Sequence, residues 1–326
     1  VQQFYSAGKR AIFAIDPKIC PMIHTFNPTH YFNTLGSHPP VLRVSDGDTI
    51  ITSCVDAAGG DAKGDKIASG PNPMSGPFFV DGAAPGDTLA VDLKAIRLTR
   101  AHGWTRNVLA QNVVEPHYAQ ELPDRYGPKG VWQIDTAAGT TTLLEPKTAL
   151  GNLALPLNPM PGCFGVAPAL GQAISTETSG RHGGNMDYNG FVAGVTAYFP
   201  VEAEGALFFI GDAHARQGDG EISGTGIEIS SEMEFALRVI KNKRIGTVRG
   251  ENSTHIFAVG NARPLDEAAQ IATTEMSRWL MEDYGLDHFA VGLLMGQCVE
   301  YNLGNMFDPA YTMVCKMPKQ FLKRLG

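Results

Sequence analysis

Residues 211–221 read GDAHARQGDGE, which brings two Gly-Asp pairs, a histidine and a glutamate into one short stretch. Asp212 and His214 stand at i and i+2, a spacing that puts both side chains on one face of a strand. A carboxylate oxygen beside an imidazole nitrogen is ordinary ligation for zinc or manganese. An Asp–His hydrogen-bonded pair closing the strand is the other reading, and spacing alone leaves both open. Asp219 and Glu221 follow at i, i+2 and can face the same place, with Glu221 as ligand or general base.

A second segment, GRHGGNMDYNG at 180–190, offers His182 and Asp187 around a Gly183-Gly184 hinge. Glycines there let the backbone approach closely or take positive φ, as ligand-holding loops require. SCVDAAGG contributes Asp56 at the end of an earlier strand. Each of these segments sets a glycine near an acid, the composition of a site assembled from several turns. Other polar residues carry less. Cys54 and Cys163 lack the histidine and asparagine partners of a thiol nucleophile and read as structural. His24, His102 and the Glu115/His117 pair are held in reserve. No GxGxxG, GxxxxGK[ST] or GxSxG is present, so nucleotide binding and the serine-hydrolase elbow have no support.

These residues need strands to hold them. GALFFIGDAHA predicts a strand with Phe208, Ile210, Asp212 and His214 on one face and Leu207 and Phe209 on the other, so buried on both sides. PPVLRVSDGDTIITSC and PFFVDGAAPGDTLAVDL each predict a hairpin around a glycine turn, sharing the echo Gly-Asp-Thr at 47–49 and 86–88. KGVWQIDTAAGTTTLL predicts two strands around a glycine. Residues 150–185, rich in proline and glycine, read as one long ordered loop. Helical spacing is clear only after residue 263: one helix starts near Asp266 and Glu267 and stops at Gly285, and a second runs toward Gly304. The expectation is a mainly β, α+β chain. Residues 1–225 form the body with the site loops, and 226–326 form an α/β C-terminal part sharing its core.

Composition narrows the class. The chain has 326 residues, 43% hydrophobic and 18% charged, as suits a well-buried globular protein. Its net charge of −7 and lack of basic runs argue against a nucleic-acid partner. No stretch is apolar enough for a membrane span. Five scattered cysteines without CxxC, and an opening without signal-peptide architecture, point to a reducing, cytoplasmic setting.

RHGGNMD followed by GDAHARQGDGEISGTGIEI, with SGPFFVDGAAPGDTLAVDL upstream, resembles the acetamidase/formamidase family over roughly residues 38–318. The resemblance falls on His182, Gly183, Gly184, Asn185, Asp187, Asp212, His214, Asp219, Gly220 and Glu221, and less closely on Asp56. It departs at CVEYNLGNMFDP and at MPGCFGVAP. It implies a jelly-roll-like β-sandwich body with a small C-terminal α/β part, a homo-oligomer, and hydrolysis of a short amide to carboxylate and ammonia. A divalent metal is implied in or near the site, with zinc favoured and calcium the alternative. On this reading His182, Asp187, Asp212 and His214 hold the ion, and Glu221, Asp187 and Asp56 are the catalytic acids. Gly183, Gly184 and Asn185 stabilise the oxyanion, and Trp104 with the 160–168 loop lines the substrate pocket. A metal-dependent phosphoesterase and a calcium-binding sandwich without catalysis are the alternatives; GGNMD precedes GDAH and lacks the histidine the phosphoesterase pattern requires.

Overall fold

The computed structural model describes residues 21–124 and 126–325; Cys20 and the opening segment lie outside them. Two large sheets face each other. The first runs, in spatial order, Ile23–Phe26, Thr49–Cys54, Ser231–Ile240, Thr88–Leu98, Thr196–Pro200, Arg249–Glu251, His255–Ala262, Tyr311–Pro318 and Glu300–Asn305. The centre of the second runs His102–Thr105, Glu228–Ile229, Phe208–His214, Met160–Val166 and Gly183–Asn185. Pairing is antiparallel throughout these central strands. Strands make up 39% of the structure and helices 15%, so the mainly β class stands.

The two Gly-Asp-Thr turns do not close hairpins. Leu42–Val44 pairs with Ser75–Val80 in the second sheet, while Thr49–Cys54 and Thr88–Leu98 belong to the first. Each turn therefore carries the chain from one sheet to the other, and the echo is one crossing device used twice. Its chemistry is the same both times. Asp48 Oδ2 accepts the Ser45 N–H at 2.9 Å, and Asp87 Oδ2 accepts the Ala84 N–H at 3.0 Å. The aspartate side chain bonds back to its own turn and stabilises a bend that two paired strands would not need.

The core lies between the sheets, where Phe78, Phe164, Phe199, Phe208, Phe235 and Phe257 meet in one apolar cluster. Period-two alternation then builds a second layer. Phe257 and Val259 face that core, while Ile256 packs with Met276, Trp279 and Leu280 of the helix Leu265–Tyr284. That helix ends at Gly285 in the left-handed conformation, φ +67°, and is followed by the helix His288–Cys298, giving the expected helical pair. The second helix stops at Cys298 instead of near Gly304, because Glu300–Asn305 pairs with Tyr311–Pro318.

Residues 150–185 are not one loop. They contain the fully buried strand Met160–Val166 and several short strands, since glycine and small side chains here allow strand packing. The core of the 160–168 segment is thus a buried strand and not a loop. Phe208 and Ile210 on one side of residue 225, and Phe235 and Phe257 on the other, share the inter-sheet core, so the two sequence parts are packed as one.

Candidate metal centre

The site grows from three neighbouring strands. Met160–Val166 lies between Phe208–His214 and Gly183–Asn185, with Cys163 paired to Gly211 on one side and to Asn185 on the other. The N–H groups of Met186 and Asp187 both donate to the Gly162 carbonyl at 3.1 Å, which turns the Asp187 carboxylate toward that glycine. A Cβ on residue 162 would stand 2.5 Å from Asp187 Oδ1 and 2.9 Å from Asp212 Oδ2. Gly162 is the gap through which the two acids come together.

Alternation along Phe208–His214 holds at first and is then reset. Phe208 and Ile210 point into the core and Phe209 points away, as the spacing predicts. Asp212 has φ +52°, so the phase shifts: Ala213 joins the core and His214 faces away beside Glu228. Asp212 and His214 thus do not share the core face with Ile210. Asp187 and Glu221 are left-handed as well, at φ +45° and +47°. Left-handed non-glycine residues cost on the order of 1–3 kcal/mol and gather at functional sites.

Asp187, Asp212, His214, Glu221 and Glu228 converge, all buried. Ligand atoms of Asp187, His214 and Glu221 lie within 4.8 Å of one another, as do those of Asp212, His214 and Glu228. His214 Nε2 is 3.1 Å from Glu228 Oε1 and 3.7 Å from Asp212 Oδ1. Its other nitrogen, Nδ1, is 2.8 Å from Gln217 Oε1. The Gln217 amide nitrogen donates to the carbonyls of Asp187 and Gly304, which fixes the amide's orientation and leaves Oε1 to accept from His214 Nδ1–H. His214 Nε2 then carries the free lone pair.

Asp308 completes the acid cluster. Its Oδ2 accepts from Asn185 Nδ2 at 2.7 Å and from Asn305 Nδ2 at 2.6 Å, and Asn305 Nδ2 also reaches Asp187 Oδ2 at 3.0 Å. The C-terminal strand arrives because Gly220 pairs with Asn305 beside Glu221. Burial, reinforced by the neighbouring acids, raises the carboxyls of Asp187 and Glu221 well above the usual range. Burial also raises Glu228 to about 8 and Asp308 to about 6. Burial opposes protonation of His214, but Glu228 and Asp212 overcome it and raise its pKa. Five buried carboxyl groups around one imidazole demand protons or cations, since isolated buried charge is costly. Asp187 Oδ1, Asp212 Oδ1, His214 Nε2 and Glu228 Oε2 have no hydrogen-bond partner. This donor set, one imidazole nitrogen among carboxylate oxygens, fits a divalent cation.

The other sequence candidates lie elsewhere. His182 is buried with its Nε2 unpartnered, belongs to neither ligand group, and is held neutral by burial, its pKa lowered to about 4. Asp56 is engaged by Arg100 at 2.5 Å, Trp104 Nε1 at 3.1 Å and the Gly60 N–H at 2.8 Å. Burial works to raise the Asp56 carboxyl, but the Gly60 N–H and the Arg100 guanidinium outweigh it and hold it below the usual range. Gly183 and Gly184 are ladder residues at φ +90° and +97°, packed so that a Cβ would meet the Phe164 and Thr178 carbonyls at 2.5 and 2.4 Å. Asn185 holds Asp308 while its Oδ1 accepts from Asn72 Nδ2. Asp219 is exposed and bonds Asn189. Glu115 and His117 are exposed, and His24 pairs with Asp48. Cys54 is buried, and burial pushes its thiol up to about 12. Cys163 is buried too, and burial pushes its thiol well above the usual value.

Sequence reasoning did not select Gln217, Glu228, Asn305 or Asp308. Gln217 stands inside ARQGDGE, three residues after His214, where a side-chain contact back to the ring is within reach. Asn305 and Asp308 are spaced as an Asx turn, and Asn305 Oδ1 accepts from the Phe307 and Asp308 N–H groups. Glu228 had no signal in its own segment.

A family model described as the Acetamidase/Formamidase family matches residues 36–172 and 169–277. A formamidase of Methylophilus methylotrophus is 24% identical over 253 residues, covering 63% of this chain and 62% of that protein. An acetamidase of Mycolicibacterium smegmatis is 24% identical over 309 residues, covering 78% and 69%. The crystal structure of an acetamidase from Yersinia enterocolitica superposes with TM-score 0.81 at 31% identity, covering 94% of each chain. The chain spans just under two thirds of two of the curated relatives it matches, 63% and 62% of their lengths.

Proposed function

Because the chain belongs to the acetamidase/formamidase family, we propose that it hydrolyses a short aliphatic amide to a carboxylate and ammonia with the help of a divalent ion. The observation that carries this is the buried acid–histidine cluster with its unpartnered ligand atoms, Asp187 Oδ1, Asp212 Oδ1, His214 Nε2 and Glu228 Oε2. Asp187, Asp212 and His214, with Glu228 beside them, are the residues we assign to the ion; His182 is left out. Bound there, a zinc-like ion would supply Lewis acidity, acidifying water and polarising an amide carbonyl.

The chain's own residues do the rest. Gln217 holds His214 in the tautomer that presents Nε2. We assign Glu221 as the base that takes a proton from water on a carboxylate oxygen and returns it to the leaving ammonia. Burial, and then the Asp308 carboxylate, raise its carboxyl above the usual range. Asn185 and Asn305 keep the Asp308 carboxylate beside Asp187. Trp104 is the register partner of Glu228, which pairs in turn with His214, so one sheet face joins the ion ligands to the cavity under Trp104. Backbone amides of Gly183 and Gly184 as an oxyanion site remain part of the proposal, although close packing accounts for those glycines.

A calcium-binding module without catalysis would call for an all-oxygen shell; the imidazole in both ligand groups favours the hydrolase. We also propose a homo-oligomer, supported by the helix His288–Cys298, where Phe289 and Leu293 at i and i+4 are 84% and 74% exposed. No helix among the described residues is long and apolar enough to cross a membrane, and we keep a cytoplasmic setting as a proposal.

Ammonia release from formamide, acetamide and propionamide, before and after chelation and metal add-back, tests the activity. Metal-dependent release is the expected result. Silence on all three with metal bound would remove the small-amide reading.

A further inference from the structure

Under Trp104, the register partner of Glu228, lies a cavity of about 580 Å³. Pockets of about 300–1,000 Å³ accommodate drug-sized ligands, so this one exceeds the need of a two-carbon amide. Its wall includes Lys63, Lys66, Arg100, Trp104 and Lys129, with Asp56 as the one acid among its described lining residues. Asp56 is already committed to Arg100, to Trp104 and to the Ala58 and Gly60 N–H groups. Asp61, on the same loop, turns its Oδ1 to the Lys63 and Asp65 N–H groups. None of Lys63, Lys66 and Lys129 forms an ion pair among the described residues. The cavity therefore presents unbalanced positive charge on a chain whose net charge is −7.

Lys129 stands where that charge meets the reaction centre. Its Nζ lies 3.0 Å from the centroid of the Trp104 ring, a cation–π seat. Burial, aided by the Arg106 and Arg100 charges, lowers its pKa, and attraction from Asp56 and Glu228 works against that. Across the sheet, Trp104, Glu228 and His214 are successive register partners, so the cavity and the ion ligands share one face. A ligand in the cavity would have lysine ammonium groups on one side and Trp104, the register partner of Glu228, on the other.

We propose that this cavity is a carboxylate subsite, and that the preferred substrate is the monoamide of a short dicarboxylic acid, its amide at the acid–histidine cluster and its carboxylate among Lys63, Lys66 and Lys129. The inference rests on the amidase reading. In the reaction, water supplies the new C–O bond and the C–N bond breaks. The nitrogen leaves as ammonia after taking up a proton, and the product is the dicarboxylate.

The test uses the full chain loaded with zinc. Ammonia release is compared for succinamate and for 4-methylpentanamide, an uncharged amide of similar shape, at low and high salt. We expect kcat/KM to favour succinamate by about tenfold or more, and the advantage to shrink with salt because the lysines are solvent-accessible. Lys129→Met should reduce the ratio and Lys129→Glu should abolish it. Turnover of acetamide with no preference for succinamate would overturn the subsite and leave the amidase reading intact. If no amide is turned over, calorimetry with succinate decides separately: binding weakened by Lys129→Glu keeps the subsite, and absence of binding ends it.

Discussion

His214 Nδ1 lies 2.8 Å from Gln217 Oε1, and the Gln217 amide nitrogen is spent on the carbonyls of Asp187 and Gly304. One glutamine thus fixes the tautomer of one proposed ion ligand and ties it to the backbone of another. Gln217→Leu removes the acceptor while keeping bulk. Loss of an outer-shell partner of a ligating histidine costs about 10–100-fold in metal affinity or activity. Competition against a chromogenic chelator reads the affinity. An unchanged value would show that Gln217 does not orient the ring.

Gly162→Ala should damage the centre without replacing any proposed ligand residue. The added methyl would stand 2.5 Å from Asp187 Oδ1 and 2.9 Å from Asp212 Oδ2. Overpacking of this kind costs about 1–3 kcal/mol. We expect a lower Tm together with loss of bound metal, measured by elemental analysis. Full metal occupancy with wild-type Tm would mean that the two acids need not approach so closely.

Glu221→Gln separates a base from a ligand. Removing a general base lowers kcat by about 10²–10⁴-fold. If Glu221 is the base, the variant keeps its metal and loses turnover; if metal is lost as well, Glu221 belongs to the ligand set and the base must be sought at Glu228.

The chelated protein should become less stable as pH rises. Burial raises Glu228 from the usual 4.5 to about 8 and raises Asp308 to about 6. An acid whose folded pKa lies above its unfolded value binds more protons when folded, so stability falls through the window between the two. For Glu228 that window runs from 4.5 to about 8. Between pH 5 and 8 the metal-free chain should lose about 5 °C or more in Tm. The metal-loaded chain should lose less, because the cation takes over the role of the protons. A metal-free Tm that climbs over this range would contradict the cluster's electrostatics.

Much of the fold was legible because it is written locally. The buried strand at 208–214, the Gly130–Asp135 and Thr140–Glu145 pair, and the helix ending at Gly285 follow from alternation and turn chemistry. The two Gly-Asp-Thr stretches were legible as turns but not as sheet crossings. A turn's residues specify its bend, whereas the partner of each outgoing strand is chosen by the core.

The same division runs through the site. By itself the sequence determined that Asp212 and His214 end a buried strand, that Asp187 follows a glycine pair, and that Glu221 lies in a tight turn. Each of these depends on residues within a few positions of one another. Tertiary structure alone decided which acids meet. Cross-strand pairing brought in Glu228, the Gly220–Asn305 bridge brought in Asp308, Arg100 held Asp56 away, and His182 stayed outside both ligand groups. Asn305 and Asp187 are 118 positions apart yet share a 3.0 Å hydrogen bond. No local spacing encodes such a contact, because the free energy that selects it comes from burial and register across the whole sandwich.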